Sequence, residues 1–319
     1  MSSTATSRHL GLDLGGTNLK WVVVEHTHDD WRRIESGQVP TRASGGPDTI
    51  VPQLAEVAMA AVAQVSGVTS VGIGIPGLYD PANGRTVFLV NVGGDWDGTP
   101  VALPVAAAVG LPTFLINDAR AFGLAELRLG AGRGADCMVG LTLGTGVGGV
   151  IAVDGHVHQG HDGTAGEIGH QTIDPDGPWC NCGNRGCLEA FARADQIAHA
   201  CGTRTVEEAV RAAAAGDERA ARGLEDVGRY LGIGIANMIT LLTPDRIVIG
   251  GGVAGAGELL FEPIRREIAR RVRTTAASRV ELVTAELGVW AGAIGAAVHG
   301  AEQAAVTSGG AASKQALAT

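Results

Sequence analysis

The sequence predicts an α/β fold that contains antiparallel hairpins, and two observations support this prediction. Strand-like and helix-like segments alternate along most of the 319 residues, which is the pattern of an α/β protein. Glycine turns at 15–16 and 144–149 each lie between two apolar runs, which indicates hairpins and argues against a purely parallel sheet. The length suits two domains, and 45% hydrophobic residues suffice for buried cores.

The first half of the chain divides at its glycines and prolines. Apolar runs flank the first glycine turn, Ala and Val recur at helical spacing before residue 65, and Pro100 and Gly110 bound a short helix. In chain order these patterns predict a strand–turn–strand over 9–24, a helix over 50–65, a strand at Val71–Ile75, a helix over 101–109, a strand at Thr113–Ile116, and a helix from Asp118 to about Leu129.

The second half repeats the strand–turn–strand pattern of the first, which predicts an internal duplication. Residues 160–187 are rich in Gly, Cys and Asp and should be irregular. In chain order we expect strands at Cys137–Leu143 and Val150–Val153, helices at Leu188–Ala200, Val206–Ala215 and Arg219–Leu242, a strand at Arg246–Ile249, a helix at Leu259–Val272, a strand at Val280–Thr284, and a small-residue helix at Trp290–Ala304.

Charge and cysteine usage narrow the function classes. The net charge of −9 argues against a nucleic-acid binder but not against ATP, since glycine amides can hold phosphates locally. The N-terminal MSSTATSRHL has no apolar run and no window is long enough to span a membrane, so the expected compartment is the cytoplasm. Five cysteines in a reducing compartment indicate metal or free thiols rather than disulfides.

Two segments, 72–77 and 144–149, match G-x-G-x-x-G, but neither is followed by the helix that a dinucleotide site requires. No Walker sequence G-K-[ST] occurs. Amides at a tight glycine turn can still bind phosphate, and Asp13 before the first turn could hold Mg²⁺ through water. One such turn alone would be interpreted as a simple hairpin, whereas two in duplicated positions favour nucleotide binding.

Asp118 lies where an apolar strand meets a helix, the position at which open α/β sheets bind ligands. A carboxylate there could accept a proton from a sugar hydroxyl that attacks phosphorus. Asp is equally a favoured helix N-cap, worth about 1 kcal/mol. The local sequence does not decide between the two roles.

A cluster of three cysteines and one histidine predicts a metal site. The ligands His170, Cys180, Cys182 and Cys187 suit tetrahedral Zn²⁺ and fill its shell, so the metal would be structural. Cys137 and Cys201 lie outside the cluster and are interpreted as packed thiols. Glu167 and Glu189 flank the cluster and could accept from sugar hydroxyls, although the local sequence favours solvated loop acids.

Taken in order, these motifs resemble the ROK family (repressors, open reading frames and kinases) over almost the whole chain. The segments that carry the resemblance are DLGGTN at 13–18, GIGIPG at 72–77, IND at 116–118, LGTGVGGV at 143–150, GEIGH at 166–170, CNCGNRGCLE at 180–189 and IVIGGGV at 247–253. The zinc signature is the most specific of them.

The resemblance implies a two-domain actin/hexokinase-like (ribonuclease H-like) fold with a cleft between the domains. The expected domains are 1–117 with 290–319, a small domain with a returning C-terminal helix, and 118–289, a large domain with the zinc loop. A homodimer or homotetramer is a family expectation. Repressor members carry an N-terminal helix-turn-helix, for which the eight or so residues before the first strand leave no room.

The resemblance also implies roles for individual residues. Asp118 would be the catalytic base, and His170 would serve both zinc and sugar through its two ring nitrogens. Sugar contacts are expected from Asn91, Asn117, Asp118, Glu167, His170 and Glu189. ATP and Mg²⁺ would be held by Asp13, Gly15, Gly16, Thr17, Asn18, Lys20, Thr145, Gly146, Gly148, Gly251 and Gly252.

The implied reaction is ATP-dependent phosphorylation of a hexose, with glucose to glucose 6-phosphate preferred. Family glucokinases often have Asn-x-Pro-Gly-Trp where this chain has Asn91-Val-Gly-Gly-Asp-Trp96, so the choice of hexose stays open. Mannose, fructose, allose or an N-acetylhexosamine are alternative substrates, and polyphosphate is an alternative donor. A sugar-sensing regulator without turnover is the alternative from another class.

Overall fold

The computed structural model describes residues 6–28 and 30–316. The chain separates into two compact units, Met1–Leu129 with Val289–Thr319 and Gly130–Gly288. The division falls at the end of the helix that follows Asn117, whereas the predicted boundary lies at its start. That helix belongs to the first unit because it packs on the C-terminal helix, where a Cβ on Gly295 would overlap the carbonyl oxygen of Ala121.

The elements alternate much as the sequence predicts. The strands are β1 (Ser7–Leu14), β2 (Asn18–His26), β3 (Trp31–Pro40), β4 (Val68–Ile75), β5 (Gly77–Asp80), β6 (Arg85–Leu89), β7 (Thr113–Asn117), β8 (Cys137–Leu143), β9 (Val147–Val153), β10 (His156–Val157), β11 (Arg246–Gly250) and β12 (Glu281–Thr284). The helices are α1 (Pro47–Gln64), α2 (Ala102–Val109), α3 (Asp118–Leu129), α4 (Glu189–Ala192), α5 (Ala194–Cys201), α6 (Val206–Ala214), α7 (Glu218–Leu242), α8 (Glu258–Arg271) and α9 (Ala291–Ala316).

Each unit contains one mixed five-stranded sheet, and the two sheets have the same plan. The strand order is β3-β2-β1-β4-β7 in the first unit and β10-β9-β8-β11-β12 in the second. In both, the first two pairings are antiparallel and the last two are parallel. This repetition of order and direction confirms the predicted duplication and the hairpins at the two glycine turns.

The predicted small-residue helix is the main packing partner of the first sheet. Gly11 of β1 and Gly72 of β4 lie so close to α9 that a Cβ on either would overlap a carbonyl oxygen of that helix. Leu10, Leu12 and Ile73 are fully buried in the core of the same unit. The helix begins one residue after the predicted start and continues past Ala304 to Ala316.

The structure contains four strands and one interruption of a helix that the sequence patterns do not predict. β3, β5, β6 and β10 were not predicted, because β3 is a polar sheet edge and the other three are short. The helix predicted over Leu188–Ala200 divides at Arg193, whose backbone is extended with φ −74° and ψ 152°. The tertiary reason is that the amide of Ala194 donates to Gly144 O at 2.8 Å instead of continuing the first helix.

In the part of the chain that the structure describes, no helix combines the length and the apolar character needed to cross a bilayer. Residues 1–5, which belong to the segment with no apolar run, lie outside the described residues.

Candidate active site and metal centre

Asp13 and Asp118 lie at the same edge of the first sheet, the edge formed by the carboxyl ends of its parallel strands. Asp13 of β1 pairs with Gly74 of β4, and Ile75 of β4 pairs with Asn117 of β7. Neighbouring strands lie about 4.8 Å apart, so backbone atoms two strands apart are separated by about 10 Å. Open α/β sheets bind ligands at such edges.

The first glycine turn joins β1 to β2 at this edge. The amide of Gly15 donates to Asn18 O at 3.1 Å, and Thr17 is exposed at the turn. Thr41 braces the turn from outside, because its Oγ1 donates to Gly15 O at 2.6 Å and its amide donates to Thr17 O at 2.9 Å. The sequence reasoning missed Thr41, since no local pattern connects it with a turn formed 25 residues earlier.

Asp13 is a mostly buried carboxylate that lies beside the cationic side chain of Lys20. Lys20 lies opposite it in the β1–β2 register, and Lys20 Nζ is 3.4 Å from Asp13 Oδ2. Burial raises the pKa of the Asp13 carboxyl, and the Lys20 ammonium opposes that rise. The first turn of α9 lies against the same carboxylate, where a Cβ on Gly292 would be 2.8 Å from Asp13 Cγ. Asn18 and Lys20, which the sequence places with the phosphate turn, both lie within strand β2.

Asn117, and not Asp118, caps helix α3. Asn117 Oδ1 accepts the amides of Ala119 and Arg120 at 3.0 and 3.2 Å, and its Nδ2 donates to Gly77 O at 3.1 Å. Asp118 Oδ1 accepts the adjacent amide of Ala119 at 2.8 Å. The N-cap role that the local sequence left open for Asp118 is thus carried by its neighbour.

Asn91 lies in the loop that follows β6. It is exposed and has a left-handed backbone with φ 63°, which Asn tolerates better than most residues. Its carbonyl oxygen approaches the first glycine turn, where a Cβ on Gly16 would lie 2.6 Å from Asn91 O. Trp96 closes the loop from inside the core, with its Nε1 donating to Gly93 O at 3.0 Å.

The second glycine turn joins β8 to β9 in the second unit. The amide of Gly144 donates to Gly146 O at 2.9 Å, and Thr145 is exposed at the tip. Gly148 lies beyond the turn, within β9, where it pairs with Thr142 of β8.

Gly251 and Gly252 follow β11 beside this second turn. Gly251 has φ 84°, and a Cβ there would overlap the backbone of Leu143, the residue that precedes the turn. A Cβ on Gly252 would meet none of the described atoms within 4 Å. The parallel pairing of β8 with β11 therefore brings these two glycine segments together.

Glu189 and Glu167 have different surroundings. Glu189 opens α4, is half-buried, and accepts the amide of Val147 through Oε2 at 2.9 Å. Its carboxylate is therefore bonded at the end of the second glycine turn, and Glu189 is not a solvated loop acid. The side chain of Glu167 is 46% exposed, and its Oε2 is 4.0 Å from His170 Nε2.

The four predicted metal ligands converge on one point. Their ligand atoms all lie within 4.8 Å of one another. Cys182 Sγ and Cys187 Sγ are 3.7 Å apart, and His170 Nδ1 is 3.8 Å from Cys180 Sγ. Zinc–sulfur bonds of about 2.3 Å in a tetrahedron put two sulfur atoms about 3.8 Å apart. The donor set and its spacing therefore fit Zn²⁺.

Burial also affects how the thiols of the cluster ionise. Burial raises the pKa of the Cys180 thiol to about 12, so this side chain needs a cation to become a thiolate. A coordinating metal deprotonates a thiol outright. His170 directs Nδ1 toward Cys180 and Nε2 toward Glu167, which leaves its two ring nitrogens in different surroundings. Cys137 and Cys201 lie outside the cluster, as predicted.

Curated and solved proteins resemble this chain over nearly its whole length, and three of them are described first. A glucokinase from Thermotoga maritima is 35% identical over 307 residues, which cover 90% of this chain and 95% of the relative. A ROK hexokinase structure from Thermus thermophilus has a TM-score of 0.79 and 36% identity and covers 93% of this chain and 99% of its own. A ROK glucokinase structure from Streptomyces griseus, in complex with glucose and AMPPNP, has a TM-score of 0.78 and 30% identity and covers 93% and 100%.

Some relatives are named for a sugar other than glucose. An N-acetylmannosamine kinase from Citrobacter koseri is 35% identical over 298 residues, which cover 91% of this chain and 97% of the relative. The structural similarity confirms the predicted fold class, a mixed α/β chain of the two-domain actin/hexokinase type. The model of the ROK family matches residues 9–302. The chain therefore belongs to the ROK family.

Proposed function

We propose that this protein is an ATP-dependent hexose kinase that phosphorylates glucose to glucose 6-phosphate. The observation that carries the proposal is the shared sheet edge of Asp13, the first glycine turn and Asp118 in a chain 35% identical to a glucokinase. One edge thus carries a candidate phosphate site and a candidate base, the two parts that phosphoryl transfer to a hydroxyl requires.

Asp118 serves as the general base. It orients the primary hydroxyl of the sugar, O6 of glucose, and takes its proton as the oxygen attacks the γ-phosphorus of ATP. The bond from that phosphorus to the bridging oxygen of ADP breaks in the same transfer. Asn117 Oδ1 caps α3 by accepting the amides of Ala119 and Arg120, which fixes the start of the helix that carries Asp118.

The glycine turns hold the phosphates of ATP. Amides at 15–17 and 144–146 would donate to phosphate oxygens, with the Thr17 and Thr145 hydroxyls exposed beside them. Asp13 is suited to hold Mg²⁺ through water, since carboxylate oxygen is a ligand that this hard cation prefers. The bound Mg²⁺ would offset negative charge on the transferring group. Gly251 and Gly252 lie on the nucleoside side, as the open space at Gly252 allows.

The sugar hydroxyls are bound by polar side chains from the predicted set. We assign this role to Asn91, Asn117, Glu167, His170 and Glu189, whose oxygen and nitrogen atoms suit hydroxyl partners. Glu167, His170 and Glu189 lie on or next to one loop of the second unit. Zn²⁺ bound by His170, Cys180, Cys182 and Cys187 would hold that loop in place. We also predict a homodimer or homotetramer, which light scattering on the purified protein would test through its molar mass.

A coupled assay of ADP release over a sugar panel tests the proposed function. The panel contains glucose, mannose, fructose, allose, N-acetylglucosamine and N-acetylmannosamine, each with ATP and with polyphosphate. We expect the highest kcat/KM for glucose with ATP. A higher value for N-acetylmannosamine would favour the second candidate that a 35% identical relative supports. Sugar binding without turnover on every donor would show a sugar-sensing regulator instead.

A further inference from the structure

We propose that Glu189 is a positioning residue that attaches the second glycine turn to the zinc-binding loop, so that the metal centre sets the affinity for nucleotide. This inference rests on the proposed function, because it takes the turn at 144–146 as a phosphate site. It assigns the cluster a role toward the nucleotide and not only toward the sugar.

The first attachment is made by the Glu189 carboxylate. Its Oε2 accepts the amide of Val147 at 2.9 Å, and a Cβ on Gly146 would lie only 2.5 Å from the same oxygen. Its Oε1 is 3.7 Å from Cys180 Sγ. Glu189 follows the ligand Cys187 by two residues, so one side chain spans the distance from the metal cluster to the end of the turn.

The second attachment is made by the helix break after α4. The amide of Ala194 donates to Gly144 O at 2.8 Å. The short segment 187–194 therefore holds the turn at its first residue, Gly144, and at the residue after its last, Val147. A turn held at both ends has little freedom to redirect the amides between them.

The other half of the zinc loop packs against the same residue. A Cβ on Gly169 would overlap Val147 O, and the next residue is the ligand His170. The amide of Val147 thus faces the Cys187 side of the loop, and its carbonyl faces the His170 side. A metal bound by His170 and Cys187 ties together the two segments that enclose the turn.

This arrangement has a consequence for binding. Amides that are already oriented bind a phosphate without the entropy cost of ordering the turn. Release of the metal removes the ligand bonds between the two segments and leaves them joined by backbone hydrogen bonds such as Leu188 N to Gln171 O at 3.0 Å. The turn is then held less firmly and loses more freedom when the nucleotide binds. The zinc-loaded protein should therefore bind nucleotide more tightly than the zinc-free protein even when no sugar is present.

Calorimetric titration of the zinc-loaded protein with Mg·AMPPNP, without sugar, tests the role of Glu189. We expect Glu189→Ala to raise the Kd for nucleotide about tenfold, the effect of losing a hydrogen bond to a charged acceptor. Glu189→Gln should stay within about threefold of the wild type, because its amide oxygen still accepts from Val147. Asp176→Ala is the matched control, since this exposed acid belongs to the same loop and has no assigned role in binding, and its nucleotide Kd should not change.

Hydrogen exchange at the Val147 amide gives a readout that does not depend on activity. Exchange should be faster in Glu189→Ala than in the wild type and should recover in Glu189→Gln. An unchanged nucleotide Kd and unchanged Val147 exchange in Glu189→Ala, together with weaker glucose binding, would show that Glu189 is a sugar ligand only and would overturn the proposal.

Metal removal completes the cycle. Chelation of the wild type, with the fold monitored by circular dichroism, should weaken AMPPNP binding about as much as Glu189→Ala does, and chelation of Glu189→Ala should add little. If chelation and Glu189→Ala weaken nucleotide binding by fully additive amounts, the metal and Glu189 act independently and the proposal is overturned. A wild type without turnover on any sugar, whose nucleotide Kd still responds to Glu189→Ala and to zinc, would remove the kinase function and retain this inference. A wild type that binds no nucleotide would remove both.

Discussion

Gly16 and Asn91 lie in contact although 75 positions separate them, because the loop after β6 returns to the first glycine turn. A Cβ on Gly16 would lie 2.6 Å from Asn91 O. The candidate phosphate turn and a candidate sugar ligand therefore constrain each other.

Gly16→Ala should impair both substrates at once. The added methyl group must displace either the turn or the Asn91 carbonyl, and a shift of this size misplaces bound groups. We expect kcat/KM to fall about tenfold or more, with higher KM values for both glucose and ATP. Steady-state kinetics measure this, and Gly255→Ala is the control, since its Cβ would meet none of the described atoms within 4 Å and the residue has no assigned role in binding. Equal losses in the two variants would contradict the expectation.

Asp118→Asn should abolish most turnover while sugar binding persists. The amide keeps the shape of the carboxylate but cannot take the hydroxyl proton, so kcat should fall by about two to four orders of magnitude. Calorimetry should find a glucose Kd close to that of the wild type. Asp48→Asn, an exposed acid of the same unit, provides the control. A near-normal kcat in Asp118→Asn would show that another group is the base.

Asn117→Ala should destabilise the first unit more than Asp118→Ala does. Asn117 Oδ1 accepts two amides of α3, and loss of such a cap costs about 1 kcal/mol. Asn117→Asp should recover most of the loss, because its carboxylate can accept the same amides. Thermal denaturation followed by circular dichroism ranks the variants, and a lower midpoint for Asp118→Ala than for Asn117→Ala would reverse the assignment of the cap.

The metal centre should hold about one Zn²⁺ per chain. Cys180→Ser removes a buried ligand, so elemental analysis should show loss of most of the metal, and the denaturation midpoint should fall. Cys137→Ser, outside the cluster, should retain both the zinc and the midpoint. A folded and fully active protein without zinc would remove the metal from the mechanism.

Stability should fall as the pH falls from about 6.5 to about 4, because His299 is buried. Burial lowers the pKa of its imidazole to about 4, against a hydrogen bond to the backbone of Leu115 that opposes the shift. Between pH 6.5 and pH 4 the imidazole of His299 binds a proton in the unfolded chain but not in the folded chain. Proton binding therefore stabilises the unfolded state over this range, and His299 does not reduce the free energy of unfolding above pH 6.5. The loss at the acid end is about 3 kcal/mol.

His299→Gln isolates this contribution. The difference between denaturation midpoints at pH 7 and pH 4.5 should be smaller in His299→Gln than in the wild type. His156→Gln, which alters an exposed imidazole, should keep the wild-type difference. The same pH dependence in all three proteins would show that other groups govern acid sensitivity.

Much of the fold and the metal site could be predicted because they depend on short-range patterns. The apolar runs around Gly15 and Gly144 determine two hairpins, and the spacing of one His and three Cys predicts a metal site whose ligand atoms lie within 4.8 Å of one another. The polar strand β3 was not predicted, because it lies at the outer edge of its sheet and buries little apolar surface. Thr41 was also missed, because no local pattern connects it with the first glycine turn, which lies about 25 residues earlier in the chain.

The sequence by itself determined the fold class, the duplication and the candidate ligands, since spacing and hydrophobic periodicity act over a few residues. Only the tertiary structure decided which neighbour caps α3, which loop meets Gly16, and that Glu189 accepts from Val147. These are contacts between segments far apart in the chain or competing neighbours, and their outcome depends on strand pairing and packing that no local pattern encodes.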